Sequence, residues 1–284
     1  NGTNHPNGVM TYFNLKDLKE DDKVSLTYFD IKGDTIKTFS TSSDKKNKLK
    51  VKKGANQFVW DMTYDGAEKL DGMILWWASL DGPKAIPGTY KVSLNIKNAI
   101  TSSTSTSLST GYFEMSQPFT ILADPRAEST QADMQKQFDF IEDVNKTMDD
   151  AHQSIKKIRA VNKQLGAFQK QYKDDETVKE LVEKAKALEE QLSTIEKELY
   201  QTQNRSGQDP LNFPIRLTNK LGHLNALVRM GDFAPTEQDI AVKNELSAKI
   251  ETQLKAFNTI LNDEVKAFNA AFNAKQLNYL FVED

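Results

Sequence analysis

Residues 178–199 read VKELVEKAKALEEQLSTIEKEL, and their apolar side chains recur at alternating steps of three and four residues. This seven-residue repeat places the apolar side chains on one face of a helix, where other helices can cover them. Most of the other positions are Lys, Glu or Gln, which is typical of a helix with one face in water. The apolar stripe comprises Val178, Leu181, Ala185, Leu188, Leu192, Ile195 and Leu199.

The same helical period precedes this segment. Apolar residues between Met134 and Tyr172 are spaced by three or four residues without a break, which predicts one helix from Ser129 to Tyr172 that only Gly166 could interrupt. At roughly 1.5 Å per residue this helix is about 65 Å long. The connector at residues 173–175 contains two aspartates that can cap the next helix, and so short a link makes the two helices antiparallel neighbours.

Two further helices follow. Leucines at positions 217, 221 and 224 predict a third helix that stops at Gly231, since glycine is common at helix C-termini. Thr236 and Asp239 have the spacing of a capping box and begin a fourth helix, whose apolar stripe continues to Phe272. Together the four segments predict an elongated antiparallel three- to four-helix bundle over residues 124–284.

The sequence before Asp124 has a different character, because all three tryptophans and nine of the 13 glycines lie there. Apolar and polar residues alternate in short runs between Gly, Pro, Asn and Asp, a pattern typical of β-strands. About seven such runs predict an immunoglobulin-like β-sandwich over residues 1–123. The Ser/Thr run from Thr101 to Thr110 is predicted to be a loop. The predicted strands are Val9–Leu15, Val24–Tyr28, Ile36–Phe39, Gln57–Thr63, Met73–Ala78, Thr89–Ile96 and Phe119–Leu122.

Composition and motifs argue against several functional classes. The net charge of −3 gives no attraction to nucleic-acid phosphates, and the longest apolar run, Met73–Ala78, is far shorter than a membrane span. The chain has no cysteine, and its three histidines lack the spacing of a helical metal motif. Phosphate-binding glycine loops and nucleophile elbows are also absent from the sequence. We therefore expect no catalytic residue, no cofactor and no bound metal.

Five residues are candidates for contact with a ligand or partner: Asp71, Trp76, Trp77, Asn212 and Phe213. The two tryptophans could stack on a sugar face beside Asp71, although indoles in a sandwich are more often part of the core, as we expect for Trp60. For Asn212 and Phe213 we consider both partner contact and a structural role. In the structural role, Asn212 and Asn219 hydrogen-bond backbone groups and Phe213 covers the end of the bundle.

The chain resembles a known family across nearly its whole length. Its first half is similar to flagellar-hook-cap-type immunoglobulin-like modules, and the whole resembles the C-terminal region of large bacterial exported proteins whose N-terminal part is a sortilin or BNR-repeat β-propeller. The chain departs from the family pattern at Thr101–Thr110, where a tighter turn is usual. The resemblance is carried by residues 54–61, 73–76, 82–83, 87–92, 124–126, 209–217, 219–221, 231–232 and 234–236.

The resemblance implies an exported, non-catalytic structural or interaction module. Its implied partners are its own N-terminal propeller and possible further proteins or glycans, without nucleic acid and without membrane insertion. Such proteins are often labelled glycosyl hydrolases, but that label belongs to the propeller. An alternative is a carbohydrate-binding accessory domain that uses Trp76 and Trp77. A third hypothesis is self-association through the long helices.

Overall fold

The computed structural model of the chain describes residue 2 and residues 4–97 and 112–277. The N-terminal half forms antiparallel β-sheets and the C-terminal half is helical. The described residues contain six strands. These strands are β1 (Val9–Leu15), β2 (Lys23–Phe29), β3 (Thr35–Ser40), β4 (Gly54–Trp60), β5 (Gly88–Lys97) and β6 (Tyr112–Ile121).

The strands form two sheets around one apolar core. Strands β1 and β4 pair with each other, and the other four have the order β3-β2-β5-β6, all antiparallel. In β2 the buried side chains alternate with partly exposed ones, so Val24, Leu26 and Tyr28 face the core. Trp60 from β4 is fully buried there, as expected from the sequence, and its indole stacks on the Tyr28 ring at 4.5 Å.

Two tyrosine hydroxyls are satisfied inside this core. The Tyr28 hydroxyl lies 2.7 Å from the Thr11 hydroxyl, and burial raises the pKa of Tyr28 to about 12. The Tyr90 hydroxyl donates to the backbone carbonyl of Ile86 at 2.7 Å. This second bond ties the start of β5 to the turn containing Pro87, so the Pro-Gly-x-Tyr motif has a structural role.

The helical half contains α1 (Gln131–Gln171), α2 (Lys179–Leu199), α3 (Leu217–Val228), α4 (Glu237–Thr259) and α5 (Lys266–Ala274). A π-helical segment, Ile260–Val265, joins α4 to α5. Arg159 contacts Glu196 at 2.7 Å and Gln169 contacts Glu189 at 2.7 Å, so α2 runs antiparallel to α1. The predicted helix from Ser129 to Tyr172 corresponds to α1, which passes through Gly166 without interruption.

Two predicted helix starts and one predicted helix end can be compared with the structure. Thr236 and Asp239 form the predicted capping box of α4. Asp175 accepts a hydrogen bond from the backbone N–H of Thr177 at 2.9 Å, but this bond caps the 3₁₀ turn Glu176–Val178, and α2 begins after that turn without a side-chain cap. Helix α3 ends at Val228, before the predicted stop at Gly231. Its last turn is closed by a hydrogen bond from the backbone N–H of Arg229, a residue in right-handed conformation, so no left-handed glycine is needed at that end.

The predicted strand Met73–Ala78 is wrong. This segment has no strand pairing, and Met73 is buried in the apolar core of the helical half. A short apolar run fits either a strand or a buried irregular segment, and contacts far along the chain decide between them. The predicted loop Thr101–Thr110 lies outside the described residues.

The described residues divide into two compact units. The first unit comprises the described residues of Asn1–Gly66, Asp81–Phe138 and Asp232–Ala234. The second unit comprises the described residues of Ala67–Leu80, Asp139–Gly231 and Pro235–Asp284. A single boundary at Asp124 therefore does not reproduce the two units, because three segments lie on the other side of it from the rest of their unit. Within the described residues, no helix is long and apolar enough to cross a membrane.

Candidate functional site

Residues 67–80, which we call the docked segment, contain three of the five candidate residues. The segment belongs to the helical unit although the chain reaches it between β4 and β5. Ala67, Leu70 and Met73 are buried in the same apolar cluster as residues of α1, α2 and α3. The burial of these side chains holds the segment on the helices by the hydrophobic effect.

Hydrogen bonds from helix residues fix the backbone of the docked segment. The Asn219 side chain on α3 accepts from the backbone N–H of Trp76 at 2.7 Å and donates to the Trp76 carbonyl at 2.9 Å. The Tyr200 hydroxyl accepts from the backbone N–H of Ile74 at 2.9 Å. These bonds give the backbone groups of Ile74 and Trp76 the partners that strand pairing would otherwise supply.

A glycine on α3 allows the close approach of the docked segment. The backbone N–H of Ser79 donates to the Gly222 carbonyl at 2.9 Å. A Cβ atom at Gly222 would lie 3.1 Å from the Ala78 Cβ and 3.3 Å from the Ser79 carbonyl oxygen. The helix face can contact the segment this closely because position 222 has no side chain.

The beginning of the docked segment is held by polar groups on α1. The backbone N–H of Glu68 donates to Asp149 at 2.6 Å, and the Nδ1–H of His152 donates to the Glu68 carbonyl at 2.6 Å. Lys156 forms an ion pair with the Glu68 carboxylate. Burial lowers the pKa of His152, which favours the neutral ring in the folded protein. His152 is therefore a structural histidine that anchors the segment.

The docked segment presents one indole to solvent. The Trp77 side chain is 74% exposed, and its backbone has a φ of 48°, in the left-handed region that a bulky residue rarely adopts. Trp76 is half-buried, and the two rings are stacked with their centroids 6.4 Å apart. Trp77 is thus a surface residue, whereas Trp60 is a core residue. The core role predicted for Trp60 and the surface exposure that ligand contact requires are therefore found at different tryptophans.

Asp71 lines a polar cleft of about 440 Å³ on the helical unit. Arg159 on α1 and Glu196 on α2 form an ion pair across it at 2.7 Å, and the Arg159 guanidinium lies over the Tyr200 ring at 5.7 Å. The cleft is lined by Asp71, Gly72, Arg159, Ser193, Glu196, Lys197, Tyr200, Thr202, Asn204 and Arg205. Only Asp71 of this set is among the candidates predicted from the sequence.

Asn212 and Phe213 lie outside this cleft. Both of their backbone N–H groups donate to the Asp209 carbonyl, at 2.8 and 2.9 Å, within a tight turn. The Asn212 side chain is exposed and the Phe213 side chain is half-buried. Asp209 organises the turn by accepting hydrogen bonds from the backbone N–H groups of Arg205 and Ser206, which lower its pKa. Asn219 does bond backbone groups, and these are the groups of Trp76.

A second concave surface is apolar. It has a volume of about 360 Å³ and lies between α1, α2 and the chain from the π-helical segment to α5. Its wall contains the aromatic rings of Phe168, Phe268 and Phe272. The ring centroids of Phe168 and Phe268 are 5.4 Å apart. These residues belong to the apolar stripes that the sequence predicts to form the core of the bundle.

The described residues contain no group of three or more His, Asp or Glu side chains placed to hold a metal ion. The chain matches no protein-family model, no curated protein and no solved structure. The family resemblance of its motifs therefore stays a prediction.

Proposed function

We propose that this chain is a non-catalytic structural and interaction module at the C-terminal end of a larger exported propeller protein. In this proposal it mediates contact with another domain or another protein. The family resemblance is the basis for the propeller and for export. The geometry of the docked segment supports an interaction role.

We also propose the finer architecture that the resemblance implies. An immunoglobulin-like sandwich in the first unit is supported by the single core that the two sheets share and by the hydrogen bond from Tyr90 to Ile86. A helical bundle in the second unit is supported by the antiparallel contacts of α1 with α2. It is further supported by the contact of Phe168 on α1 with Phe268 on α5.

The exposure of Trp77 is the observation that carries the proposal. Tryptophan is enriched among the residues that dominate binding energy at protein interfaces. Trp77 is held in position by a segment whose backbone is bonded to Asn219 on α3 and to Tyr200, the residue that follows α2, so little conformational entropy is lost when a partner covers it. The left-handed backbone conformation of Trp77 adds strain of about 1–3 kcal/mol, and the contacts that hold the docked segment must offset it.

Photo-crosslinking tests this proposal. A photoreactive phenylalanine analogue replaces Trp77 in the cell that produces the protein, and the adducts are identified by mass spectrometry. We expect one protein segment, in the parent chain or in a defined partner, to be crosslinked at position 77. The matched control places the same analogue at Ile31, another exposed apolar residue, which belongs to the first unit. Equal adducts at both positions would count against a specific contact.

A second candidate function is carbohydrate binding, because the stacked pair of Trp76 and exposed Trp77 offers an aromatic face to a sugar ring. This reading predicts that a glycan array identifies a ligand and that Trp77→Ala abolishes its binding. It also predicts glycan adducts, without peptide adducts, in the crosslinking experiment. A protein adduct together with a blank glycan array would reject it.

A further inference from the structure

Residues 45–53, which we call the lysine run, read KKNKLKVKK and contain six lysines and no acidic residue. All six lysine side chains are exposed, whereas Leu49 is buried and Val51 is half-buried. From Lys48 to Lys52 exposed and covered side chains therefore alternate, as in an extended chain whose every second side chain faces the same side. Lysine-rich runs of this kind are typical of surfaces that bind polyanions. The whole chain has a net charge of −3, so this concentration of positive charge is local.

The protein itself neutralises little of this charge. Among the described residues, Lys53 is the only lysine of the run in an ion pair, with Asp17 at 3.9 Å, and both side chains are largely exposed. So long and exposed a pair contributes little, because water screens it. The Lys48 ammonium donates to the backbone carbonyl of Thr41, which leaves its charge uncompensated. The lysine run therefore presents an excess of positive charge to solvent.

The middle of the lysine run borders a shallow groove of about 580 Å³ on the first unit. The Asn56 side chain fixes the backbone beside this groove, because it accepts from the N–H of Lys52 at 2.8 Å and donates to the Lys52 carbonyl at 2.8 Å. None of the described residues that line the groove is acidic. The lining residues are Tyr12, Lys50, Val51, Lys52, Ala55, Asn56 and Gln57.

The groove also contains an aromatic ring next to an amide. Tyr12 on β1 and Gln57 on β4 are paired across the two strands, so their side chains are neighbours on one face of the sheet. The Tyr12 side chain is 66% exposed. Within the described chain, the Tyr12 hydroxyl and the Gln57 side-chain amide donate only to the Met10 sulfur, each at 3.4 Å. A thioether is a weak acceptor, so the hydroxyl groups of a ligand can replace it at little cost.

We propose that the lysine run and this groove bind an acidic polysaccharide. One sugar ring stacks on Tyr12 and its hydroxyl groups bond to Gln57. Carboxylate or sulfate groups of successive sugars lie against the row of lysines from Lys48 to Lys52. A row of cations beside a groove without carboxylates is complementary to a chain of regularly spaced anions. The proposal does not rest on the contact at Trp77, which belongs to the second unit.

Two other polyanions match this surface less well. Single-stranded nucleic acid is held by successive aromatic rings and by arginine, whereas the groove has one aromatic ring and the lysine run has no arginine. An anionic membrane is bound by cations next to apolar side chains that enter the lipid. The apolar side chains of the lysine run, Leu49 and Val51, are buried and half-buried instead. Both polyanions serve as competing probes in the test.

Calorimetric titration of the 284-residue protein at low salt tests the proposal. The probes are polygalacturonate, dextran sulfate, neutral dextran, oligothymidylate and phosphatidylserine vesicles. We expect one of the two acidic polysaccharides to bind at least about tenfold more tightly than each of the other three probes, and its affinity to fall as salt is raised. The tighter of the two shows whether the anion is a carboxylate or a sulfate. Failure of both to bind, or equal binding of oligothymidylate or vesicles, would overturn the proposal.

A triple variant makes the test specific to the lysine run. Lys48→Gln, Lys50→Gln and Lys52→Gln together should weaken binding at least about tenfold and reduce its dependence on salt, since three cations are lost. The control makes the same change at three exposed lysines of α1, so the net charge of the protein is the same in both variants. These lysines are Lys157, Lys163 and Lys170. Equal losses of affinity in the two triple variants would refute a local site.

Substitutions of Tyr12 test the sugar contact separately from the charge. Tyr12→Ala should weaken binding of the preferred polysaccharide about tenfold, because the stacking surface is lost. Tyr12→Phe keeps the ring and should weaken binding less. Because the Tyr12 side chain is largely exposed, both variants are expected to fold, which thermal unfolding checks. Unchanged affinity in Tyr12→Ala would show that charge alone holds the polymer and would overturn the assignment to a polysaccharide.

Discussion

Replacing Asn219 by alanine should release the middle of the docked segment from α3. Asn219 is buried, and its side-chain amide makes two hydrogen bonds with the backbone of Trp76, one as acceptor at 2.7 Å and one as donor at 2.9 Å. Alanine can make neither bond. The N–H and C=O groups of Trp76 would then need water or would stay unpaired in a half-buried position.

The magnitude follows from those two bonds. Each contributes about 1 kcal/mol net, and leaving a partly buried backbone group unpaired adds about 1 kcal/mol, so we expect the helical unit to lose about 2–3 kcal/mol of unfolding free energy. Asn219→Asp should lose less than alanine, because a carboxylate still accepts from the Trp76 N–H while it faces the Trp76 carbonyl unfavourably. The matched control is Asn212→Ala. The Asn212 side chain is exposed, so its removal should change the free energy of unfolding by less than about 0.5 kcal/mol.

Urea unfolding measures the loss of free energy, and hydrogen exchange locates it. We expect the Trp76 amide proton to exchange faster in Asn219→Ala, while the Ile74 amide proton, which is bonded to the Tyr200 hydroxyl, keeps most of its protection. Unaltered protection of the Trp76 amide in the alanine variant would refute the reasoning. So would a stability loss no larger than that of Asn212→Ala.

Three further substitutions test other contacts. Tyr200→Phe removes the acceptor for the Ile74 N–H and should cost about 1–2 kcal/mol, with faster exchange confined to the Ile74 amide. Burial lowers the pKa of His152 below its ordinary 6.5, so the unfolded chain binds the proton more readily and the free energy of unfolding should decrease as the pH falls below 6.5. His152→Asn should reduce this dependence of stability on pH. An equal dependence in both proteins would contradict the assignment of His152 as a buried neutral residue. Thr236→Ala removes the capping box with Asp239 and should lower the free energy of unfolding by about 1 kcal/mol, measured by thermal or urea unfolding. A clearly smaller loss would show that this cap is not important for stability.

Features set by neighbouring residues were predictable from the sequence. The apolar stripe of residues 178–199 predicted α2 because a helix brings every third or fourth side chain to one face. The strand from Val9 to Leu15 was predicted with its observed limits, and the capping box at Thr236 was predicted with its partner. In each case the physical cause lies within a few residues.

The candidate site was only partly predictable. The tryptophan pair and Asp71 were identified by residue type, yet the exposure of Trp77 depends on a backbone path that α3 and α2 impose. Arg205 and Asn204 gave no signal in the sequence, because their positions in the cleft come from a turn organised by Asp209. A glycine inside a predicted helix, Gly222, was the one local sign of a close contact there.

The sequence by itself determined the change from strands to helices near Asp124, the limits of β1 and α2 and the burial of Trp60, since periodicity acts over short range. The predicted strands Gln57–Thr63 and Phe119–Leu122 only overlap β4 and β6. Only the tertiary structure decided where residues 67–80 lie. Their apolar run fits a strand as well as an irregular segment, and the choice depends on Asn219, Tyr200 and Gly222, more than 100 residues further along the chain. Contacts of that separation leave no periodic trace in the sequence, because each partner satisfies its local pattern whether or not the contact forms.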